Sequence, residues 1–168
     1  MTETLSDVLP DDVEAAIQRV LKQACERDLK ITTAESCTGG LIASLLTDVE
    51  GCSHAFERGF VVYTEDAKHQ MLGVPMEMLE KEGAVSRAVA VALAEGALAH
   101  SPADISLSVT GFAGPAGPGD EPGLVHFASA RRGRPTRHLE AHFGDVGRGA
   151  IRIACVRTGL GLLREMLS

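Results

Sequence analysis

The chain has 168 residues, is 45% hydrophobic and carries a formal net charge of -7, which predicts one well-filled core and argues against a polyanion-binding surface. Trp is absent and Tyr occurs once, so little aromatic area exists for stacking exposed bases, and nucleic acid is not expected as a partner. The 4 cysteines show no C-x-x-C spacing, and no apolar run reaches the roughly 18 residues needed to cross a bilayer. Without a signal-like N-terminal segment, these features predict reduced thiols, a cytoplasmic location and no membrane partner. Arg131, Arg132, Arg134 and Arg137 form one local basic cluster, read as a solvated hairpin or loop. Residues 1–168 are read as a single domain, with residues 1–10 as a loose tail.

Taken in chain order, the segments alternate between helical and strand patterns. Val13 to Arg27 places Val13, Ala16, Ile17, Val20, Leu21 and Ala24 at helical spacing, with Asp11 or Asp12 suited to capping the start. Leu29 to Thr33 reads as a strand, Gly40 to Thr47 as a helix, and Ala55 to Tyr63 as a second strand. Asp66 to Leu72 looks helical, and Pro75 to Glu82 opens another helix on a proline, which the first turn tolerates. Ser86 is placed to cap Arg87 to His100, a helix so apolar that it must be largely buried, in the core or in a subunit contact. Ile105 to Val109 predicts a third strand, Leu124 to Ala130 and Thr136 to Phe143 an antiparallel pair, and Arg148 to Leu167 a closing helix. The economical fold is α/β: three layers, α/β/α, around a mixed central sheet.

Three connections at strand ends carry the candidate chemistry: Glu35 to Gly40, Tyr63 to Lys68, and Thr110 to Gly119. In open α/β sheets ligands bind beyond the carboxyl ends of the strands, so these loops are expected to share one pocket. Their glycines, Gly39, Gly40, Gly111 and Gly114 among them, allow backbone N–H groups to approach phosphate oxygens, and Thr38 and Thr110 add hydroxyls. No Lys follows the first glycine pair as in a P-loop, and no G-x-G-x-x-G occurs. ATP hydrolysis and dinucleotide binding therefore have little support. The expected ligand is a phosphorylated small molecule.

The strings Ala34-Glu35-Ser36-Cys37-Thr38-Gly39-Gly40, Phe56-Glu57-Arg58-Gly59-Phe60-Val61, Leu72-Gly73-Val74, Gly83-Ala84-Val85-Ser86 and Thr110-Gly111-Phe112-Ala113-Gly114-Pro115 occur in the order found in the C-terminal domain of the CinA (competence/damage-inducible) proteins. The chain resembles that family over nearly its whole length, as a stand-alone form of the domain. The resemblance implies a bacterial nicotinamide-nucleotide amidohydrolase, converting nicotinamide mononucleotide to nicotinate mononucleotide and ammonia in pyridine-nucleotide salvage. It also implies self-association into a homo-oligomer, and neither metal nor cofactor. By the same resemblance Ser36 is the nucleophile and Lys68 the general base, with Tyr63 near the pocket. Arg148 and Arg152 match arginines of the family's last helix, and either would depress the Lys68 pKa or hold the substrate phosphate.

Several roles stay open at this stage. Ser36 also fits a helix cap, and Cys37 at a helix start is an alternative nucleophile. Glu35 would orient Lys68, bind the ribose, or satisfy backbone donors at the turn. Thr110 serves either the substrate or its own turn. The oxyanion is expected at the N–H groups of Thr38 to Gly40. Two departures from the family pattern bear on activity. Glu65 stands where a neutral Asn is usual, and facing Lys68 it would favour the ammonium. Ala116-Gly117-Pro118 replaces a glycine pair, and the Glu121 to Val125 stretch lacks a usual Lys. An alternative function is a weakly active nucleotide-binding module, a sensor or partner in competence or DNA-damage responses.

Overall fold

The computed structural model describes residues 9–168. Its strands are β1 (Ile31–Glu35), β2 (Phe56–Val61), β3 (Ile105–Gly111), β4 (Leu124–Arg131) and β5 (Arg137–His142), and its helices are α1 (Asp11–Glu26), α2 (Leu41–Leu45), α3 (Glu65–Leu72), α4 (Met76–Glu82), α5 (Arg87–Ala99) and α6 (Arg148–Leu167). They form one mixed sheet in the order β2-β1-β3-β4-β5. β1 runs parallel to both β2 and β3, whereas β4 and β5 add antiparallel. Helices cover both faces, as the α/β/α expectation required.

Alternation along the strands sorts the two faces. Ile31, Ile105, Leu107, Val109, Val125 and Phe127 face α1, α2 and α6 in a large apolar core. The opposite face is lined by small and hydroxyl side chains, and α5 lies close on it. Ser106 Oγ donates to the Ala94 carbonyl at 2.7 Å, Ser108 Oγ to the Ala90 carbonyl at 2.6 Å, and Thr110 Oγ1 to the Ala84 carbonyl at 2.8 Å. Alanines at 90, 94, 128 and 130 are fully or nearly fully buried between helix and sheet. The apolar α5 is thus a core helix, and its small residues allow backbone and strand hydroxyls to meet.

Element ends depart from the sequence expectation in instructive ways. β1 extends to Glu35 rather than ending at Thr33, and β3 continues through Thr110 and Gly111, because both strands keep pairing with neighbours. Pro10 precedes α1 with no side-chain cap, so neither Asp11 nor Asp12 caps it; both sit in the first turn, where carboxylates complement the helix dipole. Pro75 likewise stands just before α4, and Ser86 caps α5 by accepting from the Val89 N–H. Leu9 packs on the core, and the rest of the expected tail lies outside the described residues. The basic cluster is only partly solvated. Arg132 donates to the carbonyls of Leu98, Ser101 and Ala103, and Arg131 to that of Met166, so these two guanidiniums hold chain ends of α5 and α6.

The strand order reverses at β1: its own crossover leads to β2 on one side, and the later crossover returns to β3 on the other. Such a reversal opens a crevice beyond the carboxyl ends of the strands. Ser36 continues β1 into it, its N–H donating to Val109 C=O at 3.0 Å. Glu35, fully buried, turns the other way, and its two carboxylate oxygens each accept a backbone N–H, from Ile42 and Ala43, at 2.9 Å. That cap fixes α2, which begins after Gly40 at φ 96°, against the turn.

Glu35→Ala leaves two N–H groups of the buried helix start without partners, and is expected to lower unfolding stability by about 2–3 kcal/mol in urea titration; an unchanged midpoint would refute the cap. Gly96 tests the close packing of α5, since a Cβ there would stand 2.4 Å from the Leu72 carbonyl oxygen. Helix propensity alone favours Ala by about 1 kcal/mol, but overpacking costs about 1–3 kcal/mol, so Gly96→Ala is expected to lower the thermal midpoint.

Candidate active site

A cavity of about 310 Å3 lies at the crevice, walled by Ser36, Cys37, Tyr63, Lys68, Ala84, Val85, Thr110 to Pro115 and Arg148. Its polar centre is a contact between β1 and α3. Lys68 is 1% exposed. Its Nζ lies 3.1 Å from Ser36 Oγ, 3.0 Å from Val62 C=O and 3.1 Å from Tyr63 C=O.

Local structure delivers each of these atoms. The Val62 N–H donates to Glu35 C=O at 2.9 Å, extending the parallel pairing beyond the end of β2. The chain then turns, and Thr64 caps α3 by accepting the Ala67 N–H at 3.0 Å. Lys68 follows in the first turns of that helix, with its side chain directed back under the strand ends. Two of its three partners are carbonyl oxygens, which only accept. A neutral amine has two N–H groups, so with both donated to Val62 and Tyr63 its lone pair is left for the Ser36 hydroxyl proton.

Burial drives the Lys68 pKa below the ordinary lysine value, and the charges of Glu65 and Cys37 oppose that shift. The depression thus comes from desolvation and not from a neighbouring arginine. Glu65 is exposed yet acts in the direction expected from its position, towards the ammonium. Cys37 is nearly buried, and its thiol pKa is lowered chiefly by a hydrogen bond from the Cys155 thiol.

Seven of the twelve sequence-selected residues stand on the cavity wall: Ser36, Tyr63, Lys68, Thr110, Gly111, Gly114 and Arg148. Glu35, Thr38, Gly39, Gly40 and Arg152 do not. Glu35 is committed to α2, the last of its three open readings. Thr38 is fully buried, its Oγ1 has no hydrogen-bond partner among the described residues, and its carbonyl accepts from Arg152 Nη2 at 3.0 Å. Arg152 therefore braces the turn from behind instead of reaching the cavity. The Gly39 N–H closes the turn on Ser36 C=O at 3.1 Å, which removes it as an oxyanion donor. Ser36 caps no helix, since Gly40 directly precedes α2 and the N–H groups of Ile42 and Ala43 go to Glu35.

Thr110 also differs from a free hydroxyl donor, because its Oγ1 is held by Ala84 C=O. It ties the start of the α5 crossover to β3 and so shapes the wall. Gly111 and Gly114 are needed for close approach. A Cβ at Gly111 would stand 2.6 Å from Val125 Cγ2, and one at Gly114 would stand 3.0 Å from the Arg148 guanidinium. The glycine loop thereby lets Arg148, in the first turn of α6, point into the cavity mouth. Residue-type reasoning overlooked the apolar wall of Val85, Phe112, Ala113 and Pro115. It also overlooked the two carbonyls on Lys68, for which no side chain gives a signal.

The profile of the family described as CinA C-terminal domain matches residues 13–167. The chain is 48% identical over 129 residues to a nicotinamide-nucleotide amidohydrolase, PncC, of Escherichia coli K12, covering 75% of this chain and 77% of that protein. It is 52% identical over 120 residues to a CinA-like protein of Akkermansia muciniphila, covering 70% of this chain and 29% of that one. Among solved structures, the competence/damage inducible protein CihA from Agrobacterium tumefaciens superposes with a TM-score of 0.93 at 44% identity, over the full length of both chains. The chain spans about a third of the length of the first curated relatives it matches. With the matched profile running from α1 to the end of α6, the chain belongs to the CinA C-terminal domain family.

Proposed function

We propose that the protein hydrolyses the carboxamide of nicotinamide mononucleotide, releasing nicotinate mononucleotide and ammonia, with Ser36 as nucleophile and Lys68 as its base. The observation that carries the mechanism is the buried Lys68 amine, whose Nζ lies 3.1 Å from Ser36 Oγ and 3.0 and 3.1 Å from two backbone carbonyls; once neutral, an amine that donates to both carbonyls turns its lone pair to the hydroxyl. The E. coli relative named for this activity supports the substrate. Neutral Lys68 takes the Ser36 proton as Oγ bonds to the amide carbon, and it returns that proton to the nitrogen that leaves as ammonia. Water then attacks the acyl-enzyme, losing a proton to Lys68, which passes it to Ser36 Oγ as the Ser36–acyl bond breaks; the acid so freed ionises to the carboxylate. The Cys37 N–H has no backbone acceptor among the described residues and adjoins the nucleophile on the cavity wall, which makes it the better placed oxyanion donor. Arg148 at the mouth suits the substrate phosphate, as a guanidinium pairs with phosphate oxygens through two N–H groups. The apolar wall at Val85, Phe112 and Pro115 suits the face of a pyridine ring.

Ammonia release from nicotinamide mononucleotide tests this reading directly. Ser36→Ala and Lys68→Ala, checked for folding by circular dichroism, are each expected to lose at least about 100-fold in kcat, while Cys37→Ala retains turnover. Nucleotide binding without turnover in the wild type would instead favour the sensor reading.

The pH profile tests the state of Lys68. The base works only when neutral, so kcat/KM is expected to rise with pH through a limb lying below the ordinary lysine range. Glu65 raises that pKa, so Glu65→Asn is expected to move the limb to lower pH and increase activity at neutral pH. A limb that does not move would mean that Glu65 has no influence on the base.

A further inference from the structure

The chain's 4 cysteines lie far apart in sequence, yet they fold into two neighbouring pairs. Cys25, near the end of α1, neighbours Cys52, and Cys37 neighbours Cys155, each pair within one apolar cluster and near enough to shift its partner's titration. The second pair bridges the Ser36 turn and α6. Residues 152, 155 and 159 of α6 follow helical spacing and present one face to that turn. Arg152 holds Thr38 C=O at 3.0 Å. Two turns along, Gly159 admits the helix so closely that a Cβ there would stand 3.4 Å from Ile42 Cδ1 and 2.7 Å from Leu107 Cδ2. Cys155 lies between them, fully buried in the same apolar cluster as Cys37. Cys37 differs in one respect: it forms part of the wall of the Ser36 cavity. One thiol of the pair can thus be met from the cavity, and its partner waits directly behind it.

We propose that Cys37 and Cys155 form a redox-active thiol pair, oxidised by hydrogen peroxide that enters the Ser36 cavity, and that their disulfide reversibly halts turnover. The claim about turnover rests on the reading of Ser36 as nucleophile; the claim about the pair does not. The chemistry has a built-in order. Hydrogen bonding from Cys155 lowers the Cys37 pKa, while the same contact and burial raise that of Cys155, so Cys37 is the thiol that reacts first. Its thiolate sulfur bonds to one peroxide oxygen as the O–O bond breaks, giving a sulfenic acid and a hydroxide that is protonated to water. Cys155 then loses its proton, its sulfur bonds to the Cys37 sulfur, and the S–O bond breaks to release a second water. Two thiols are oxidised by two electrons and one hydrogen peroxide is reduced.

The disulfide acts on the neighbouring residue. It replaces a contact at the back of the turn by a covalent bond and draws residue 37 towards α6, whereas Ser36 must keep its hydroxyl on Lys68 Nζ, 3.1 Å away in the reduced chain. A displacement of about 1 Å in such a pair costs on the order of 100-fold in rate. Neither Cys25 nor Cys52 lines the cavity, and oxidation of that pair would leave Ser36 in place.

The test treats the purified full chain with hydrogen peroxide, alkylates it and maps its peptides without reduction, alongside ammonia release. The expected result is a peptide cross-linked through Cys37 and Cys155, with activity falling roughly 10-fold or more, both reversed by dithiothreitol. Cys155→Ser should keep its activity before oxidation, form no such cross-link and, after peroxide, lose activity irreversibly as Cys37 passes to the sulfinic acid. Cys25→Ser should behave as wild type. Consumption of Cys37 without the cross-linked peptide would overturn the pair, and the cross-link with unchanged turnover would overturn its control of the site. If the reduced chain releases no ammonia, the amidase reading fails while the wild-type peptide map still decides the thiol pair, as it does if Cys155→Ser does not fold.

Discussion

The site depends on a lysine that is almost completely removed from water. An amine in that position needs acceptors, and the chain supplies them from backbone rather than from carboxylates: the carbonyls of Val62 and Tyr63, with Ser36 Oγ as third neighbour. A carboxylate there would have stabilised the ammonium strongly. Carbonyl dipoles hold the amine in place while burial still lowers its pKa. Much of the surrounding architecture serves this cage. β1 and β2 must remain paired to the Val62 N–H, Thr64 must start α3 immediately afterwards, and the helix must be long enough to carry Lys68 back beneath the strand ends.

Two further constraints place Ser36 opposite that amine. Glu35 is held inward by the N–H groups that open α2, and β-strand alternation sets the side-chain directions of its neighbours. Arg152 and Gly159 press α6 onto the other side of the turn. On the opposite face, the hydroxyls of Ser106, Ser108 and Thr110 bind backbone carbonyls at and before α5. That seam brings Ala84 and Val85 to the cavity and explains a helix built from alanine and valine. The catalytic pair on this reading is thus clamped between a large apolar core and a thin, hydroxyl-studded one.

The pattern of apolar residues made most elements legible, including the antiparallel pair after the glycine loop and the whole of α6. Strand ends were less legible. Thr110 and Gly111 carry turn chemistry in sequence, but pairing with His126 and Val125 keeps them in β3. The arginines after β4 looked solvated because no local pattern reveals the distant carbonyls of Leu98 and Met166 that two of them bind. At the site, the family resemblance named Ser36, Lys68, Tyr63 and Arg148, and all four line one cavity. The strand-end loop also offered Thr38, Gly39 and Gly40, and the resemblance Arg152, although these residues build and brace the turn instead of lining the cavity.

The sequence by itself determined the α/β class, because hydrophobic period is a property of short segments, and its motif strings determined the family; the proposed roles of Ser36 and Lys68 follow from that resemblance. Tertiary structure alone decided what surrounds those groups. Whether Lys68 meets Ser36 and whether Arg152 braces Thr38 depend on contacts between residues 32 and 114 positions apart. Such contacts leave no periodic trace along the chain. They arise when strand register and helix packing bring backbone carbonyls and side chains together, and there burial gives an ordinary lysine a lowered pKa.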